Sequence, residues 1–175
     1  MGNTVSVIEI FDNINKWLDF SERKNAYIFS FFSLMVVFTP FINKMTDISI
    51  VIKYSLSVFY VLYVFSIIFT LLSFFPITNI SRYIIEKGRN KKINDDDNLF
   101  FWGHICKYSR DEYKKKLNEK YGLDIESKFI NDIVEQIIIN SNITNNKFVY
   151  FKYSVVITVI AFVQFAICMT INIFI

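Results

Sequence analysis

The sequence predicts an all-α integral membrane protein in which three transmembrane helices extend into a small cytoplasmic helical bundle. Three observations predict it. Uncharged stretches fill 25–43, 54–81 and 153–175. The polar segment 82–152 carries fourteen of the nineteen lysines and arginines. Within the polar parts, apolar residues recur at steps of three and four, the helical period.

A helix needs about 20 mostly apolar residues to cross the hydrocarbon, where it must satisfy its own backbone. All three stretches meet that length. With 53% hydrophobic residues and a mean hydropathy of +0.36, the chain has too little polar surface to bury three such helices in a soluble core.

Segment 1–24 comes first, as a cytoplasmic amphipathic helix: Val7, Ile10, Phe11, Ile14, Trp17 and Leu18 share a face, opposite Asp12, Asn13, Lys16 and Asp19. It runs directly into span 25–43, which carries Ser30, Ser33 and Thr39 and ends near Pro40, a natural terminator. An external loop, 44–53, leads to span 54–79, which contains no charge and no glycine. The head follows at 80–152. Residues 80–88 continue the second helix, and the Asp95-Asp96-Asp97 run reads as a solvated turn, because it lacks the spaced neighbours of a metal site. Ser109 and Glu112 form a capping box, flanked by Tyr108 and Tyr113 in the staple positions. That helix stops at Gly122, and Asp124 caps the next, which keeps helical period through Ile138 and enters span 153–175.

Positive charge is retained on the cytoplasmic side, so the N-terminus and 82–152 face the cytoplasm and the C-terminus lies outside. The acidic residues before the first span are unlike a signal peptide. The Met1–Ser6 myristoylation pattern and the sequons at Asn79 and Asn142 are short and set aside. Cys106 and Cys168 fall in cytoplasm and span and make no disulfide framework. With one histidine, no Cys/His metal spacing and no Gly-rich phosphate loop, the sequence predicts no enzyme, no bound metal and no direct nucleic-acid partner.

Inside the membrane, Gln164 is expected to face another helix. Ser154, Thr158 and Ala161 form a small-residue stripe in the third span, matched by Ser66 and Thr70 in the second. Three spans are too few to enclose a pore, so any damage to the lipid bilayer requires a homo-oligomer.

The motifs NLFFWGHI, SRDEYKKKL, DIVEQI and NNKFVYFKYSVVITVIAF, with FSERKNAYIF before the first span, resemble the transmembrane effector family of the Pycsar antiphage defence systems. The chain departs from the family pattern at Trp102, where a small residue is more usual before the glycine. The resemblance implies a trigger, a cyclic pyrimidine mononucleotide (cCMP or cUMP) made by a partner cyclase, and an outcome, loss of inner-membrane integrity and growth arrest. For such a ligand, Arg110 in a first helical turn suits the phosphate, while Phe101, Trp102, His104 and Tyr108 offer stacking surfaces. Arg23, Lys24 and Arg82 would close the lower edge of a cleft near the membrane. Each has a plainer reading as well: a satisfied helix cap, the core of the head, or cations that fix topology. Two other functions fit the layout, a constitutive structural or assembly subunit of a membrane complex and a ligand-independent, holin-like pore former.

Overall fold

The computed structural model describes residues 2–43, 49–74, 93–123, 125 and 127–174, and the side-chain surroundings of all of these except 2–6, 36, 38–43 and 172–174. The described residues are helical or irregular, with no strand. Their helices are α1 (Gly2–Asn43), α2 (Ile50–Phe74), α3 (Trp102–Ile105), α4 (Arg110–Tyr121) and α5 (Lys128–Phe174). The chain divides into two compact units, one of Met1–Glu22 with Pro76–Lys147 and one of Arg23–Phe75 with Phe148–Ile175. α1 and α5 each contribute to both as uninterrupted helices.

The first unit is the head. The α1 face anticipated from its spacing buries Val7, Ile10 and Ile14 against Tyr113 and Leu117 of α4 and Ile130, Val134, Ile137 and Ile138 of α5. Full burial of such side chains stabilises by about 1.5–3 kcal/mol each, so this cluster holds the unit together. The α4 start follows the sequence pattern: the Ser109 hydroxyl accepts from the Glu112 N–H, Glu112 returns the contact to the Ser109 N–H, and the Tyr108 and Tyr113 rings lie 6.0 Å apart. Gly122 ends α4 at φ 62°, the left-handed region where glycine avoids a Cβ penalty, and its N–H bonds the Asn118 carbonyl. α5 begins at Lys128 with the Ser127 hydroxyl accepting from the Ile130 N–H at 3.2 Å. The expected cap, Asp124, and the expected continuation at 80–88 lie outside the described residues.

In the second unit α2 runs antiparallel to its neighbours. Successive α2 residues meet descending α5 residues, Ser55 with Gln164 and Ser66 with Ser154, and likewise descending α1 residues, Tyr63 with Phe32 and Ser73 with Asn25. The helix interfaces combine small polar side chains, Ser55, Ser66, Thr70, Ser73 and Ser154, with the buried Phe32, Leu56, Phe59 and Tyr63, while Val58, Val61, Val64, Phe65, Ile68, Val156, Val159, Ile160 and Val163 face outward. An apolar outer surface over partnered interhelical hydroxyls is what hydrocarbon surroundings select, because apolar side chains need not be hidden there.

Two helices among the described residues, not three, are long and apolar enough to cross a membrane: α2 and the Lys128–Ile171 part of α5. The difference lies in α1. Any stretch of spanning length that ends by Val37 includes Glu22, Arg23 and Lys24, and the side chains of 38–43 lie outside those described. α1 runs past Pro40 and ends at Asn43.

Candidate functional site

The loop before α3 is built around one carboxylate. Asp97, expected in a solvated turn, is 4% exposed. Its Oδ1 accepts from Lys107 Nζ at 2.6 Å, and its Oδ2 accepts from the Tyr108 hydroxyl at 3.0 Å and the Asn94 N–H at 3.1 Å. Lys120 Nζ donates to the Asp97 carbonyl at 3.1 Å. Burial by itself would raise the Asp97 carboxyl, but Lys107, the Asn94 N–H and Tyr108 together outweigh it and hold the group below the usual carboxylate range. Tyr108 is pushed far up, by burial first and then by the adjoining Asp97 charge.

Phe101, Trp102 and His104 do come together on and beside α3. The Phe101 ring lies 4.9 Å from Trp102 and 5.2 Å from His104. Their polar neighbours are already engaged in holding the loop. His104 Nδ1 accepts from the Asn98 N–H at 2.8 Å, so its 3.7 Å approach to Asp97 is not an ion pair through that nitrogen. The Tyr113 hydroxyl donates to the Leu99 carbonyl at 2.7 Å, and Asn13 Nδ2 to the Phe100 carbonyl at 2.8 Å. A recess of about 500 Å³ opens beside this group, lined by Asn94, Asp95, Asp96, Asp97, His104 and Lys107 with Ile93. Three carboxylates against one lysine make it unsuited to a phosphate. Arg110 is in the first turn of α4, with its guanidinium on Glu135 at 3.0 Å.

A second polar group in the head lies along α1 and α5. Asn140 Nδ2 donates to Asn15 Oδ1 at 2.8 Å, and Lys147 Nζ donates to Glu22 Oε1 at 3.2 Å. Both pairs are 125 residues apart in sequence, so the two helices run parallel and keep register across two turns. Ser21, Ser141 and Thr144 are fully buried here, and Lys147 is 8% exposed. Ser21 donates to the Leu18 carbonyl. Ser141 Oγ and Thr144 Oγ1 have no hydrogen-bond partner among the described residues, an arrangement that costs about 1–3 kcal/mol per buried polar group. Sequence reasoning did not single out these residues. The available signal was periodicity: the core positions of α5 pass from Ile130, Val134 and Ile137 to Ser141 and Thr144 without a break in helical spacing.

In the second unit Lys24 Nζ sits 3.3 Å from the centroid of the Phe148 ring and 4.0 Å from that of Phe151, a cation–π clamp. Arg23 is exposed. Arg82 lies outside the described residues. Gln164 donates to Ser55 Oγ at 2.8 Å, facing another helix as its place in the span suggested. Ser66 Oγ meets Ser154 Oγ at 2.9 Å and Thr158 Oγ1 at 2.7 Å, and Thr70 Oγ1 meets Ser154 Oγ at 2.7 Å. The two small-residue stripes thus become one hydroxyl network.

An apolar-outside helical unit, with helices long and apolar enough to cross a membrane, and a head packed on its own core describe a small helical membrane protein. A model of the Pycsar effector protein domain matches residues 7–174, and the chain belongs to that family. Membership places it among the membrane effectors of antiphage defence. No curated protein and no solved structure matches it.

Proposed function

We propose that this effector binds a cyclic pyrimidine mononucleotide, cCMP or cUMP, on its cytoplasmic head and, once loaded, breaks the integrity of the inner membrane and arrests growth. The observation that carries the reading is the family match over 7–174. The ligand comes from a partner pyrimidine nucleotide cyclase. The effector spans the membrane three times, at 25–43, 54–79 and 153–175, with its N-terminus and 82–152 in the cytoplasm and its C-terminus outside. The antiparallel α2 and the parallel direction of α1 and α5 support that topology, as does the concentration of cations in 82–152. Membrane damage requires a homo-oligomer, since three helices cannot line a pore. The protein acts by rearranging its helices and carries out no chemistry. The α1 and α5 helices, each shared by both units, support transmission from ligand to membrane.

The test uses the full-length protein. Calorimetry in neutral detergent with cCMP, cUMP, cAMP and cGMP is expected to give binding for a pyrimidine nucleotide alone, and the same nucleotide is expected to release dye from liposomes that hold the protein. Absence of heat with both pyrimidine nucleotides at high micromolar concentration would end this reading.

A further inference from the structure

We infer that the phosphodiester anion is received on the α1–α5 seam of the head, by Lys147 with the hydroxyls of Ser141 and Thr144, and that Glu22 is the counterion it displaces. The inference rests on the ligand reading above only for the identity of the anion. The seam itself points to an anion of this kind. Lys147 is a charged group at 8% exposure, and a buried ammonium needs an anion beside it. The anion present, Glu22, has a side chain 55% exposed, so it can return to water with little change in its solvation. Ser141 and Thr144 are fully buried hydroxyls without partners among the described residues, and a hydroxyl can donate to a phosphate oxygen. Residues 141, 144 and 147 advance by threes along α5, about 4.5 Å and about 60° of turn per step, so Ser141 adjoins Thr144 and Thr144 adjoins Lys147 along a buried spiral.

Charge balance favours the exchange. A cyclic nucleotide carries one negative charge on its diester, the same as the glutamate it replaces, so the buried lysine stays neutralised throughout. The recess beside His104 fits less well, because it is lined by three carboxylates. Exchange also has a mechanical result. The Glu22–Lys147 pair joins α1 to α5, and a ligand that takes Lys147 frees α1 at that point.

A phosphodiester monoanion is also the headgroup of a phospholipid, so the experiment separates the two sources. Calorimetry with cCMP and cUMP is run on wild type, Lys147→Met, Lys147→Arg, the double variant Ser141→Ala/Thr144→Val, and Glu22→Gln, each in neutral detergent; native mass spectrometry then measures retention of added phosphatidylglycerol. The inference expects Lys147→Met and the double variant to weaken nucleotide binding at least tenfold, Lys147→Arg to retain it within threefold, and Glu22→Gln to bind as tightly as wild type or tighter. If wild type binds nucleotide while Lys147→Met and the double variant stay within threefold of it, the seam is not the site, and the ligand reading survives. If wild type binds no nucleotide but retains phosphatidylglycerol in a Lys147-dependent way, the seam stands as an anion site with lipid as its occupant, and the ligand reading fails. If wild type takes up neither, the inference is overturned.

Discussion

Replacing Asp97 by alanine removes the centre of the loop before α3 and is expected to open it without unfolding the α1–α5 core. The carboxylate takes three donors: Lys107 at 2.6 Å, Tyr108 at 3.0 Å and the Asn94 N–H at 3.1 Å. Their fates on deletion differ. The Lys107 side chain is 16% exposed and can swing into water, so losing its contact costs little beyond the pair itself. Tyr108 is 3% exposed, and its nearest alternative, the Asn94 carbonyl, is 3.5 Å away. Stranding that hydroxyl costs about 1–3 kcal/mol, with about 1 kcal/mol more for the other two contacts. A total of about 2–4 kcal/mol corresponds to a loss of protection of about 30-fold to 1,000-fold. Hydrogen exchange on the full-length protein reads it at the amides of Asn98, Lys107 and Tyr108, all hydrogen-bonded within this segment. Asp95→Asn is the control, because that side chain is almost wholly exposed and is expected to change nothing measurable. Protection at the three amides within threefold of wild type in Asp97→Ala would refute the reasoning. The pH dependence has a definite sign. The Asp97 carboxyl is depressed in the fold, so its stabilisation is complete above the ordinary carboxylate range and is lost as pH falls below about 4 through the folded value. Asp97→Asn should flatten that acid-side loss.

Ser154→Ala removes a hydroxyl bonded to Ser66 and Thr70; at about 0.6 kcal/mol per interhelical bond in a membrane, a loss of about 1 kcal/mol is expected in unfolding by SDS from mixed micelles. Gly122→Ala forces a Cβ into the left-handed region at φ 62° and should cost about 1 kcal/mol in thermal unfolding, although nothing lies within 4 Å of the added atom. Gly103→Ala puts a Cβ 2.6 Å from Phe101 Cε1, so the Phe101 ring must move off Trp102 and His104; a cost of about 1–3 kcal/mol and a changed Trp102 emission in a Trp17→Phe background are expected.

Much of this architecture was legible because local rules decided it. The Ser109–Glu112 box, the Gly122 stop and the hydroxyl stripes at 66, 70, 154 and 158 depend on spacing within one helix, and spacing is written in the sequence. Asp97 was not legible. Two aspartates beside it have the same local chemistry, and only the return of the chain at Lys107 and Tyr108 selects which of the three is buried. Arg110 was correctly set in a first helical turn, but its partner Glu135 comes from a different helix and could not be read from the turn. The same limit hid Lys147. As one cation among fourteen in 82–152 it carries no local mark, and its burial follows from the register that brings α1 alongside α5.

That register also says where the head should yield. The α1–α5 seam is graded: Val7, Ile10 and Ile14 pack on Ile130, Val134 and Ile137 at one end, and Ser21 and Glu22 accompany Ser141, Thr144 and Lys147 at the other. The apolar end is held by burial of large side chains, which no small anion can compete for. The polar end includes the ion pair to a half-exposed glutamate and the Asn15–Asn140 bond, and contains hydroxyls that gain partners when an anion arrives. A ligand on Lys147 therefore acts where separation of the helices costs least. The expected signature is local: on adding the nucleotide, exchange at 18–22 of α1 rises severalfold while the amides of 10–14 keep their protection. Equal loss at both ends would mean that the head unfolds as a whole, and loss at neither would mean that α1 does not respond to the exchange at Glu22.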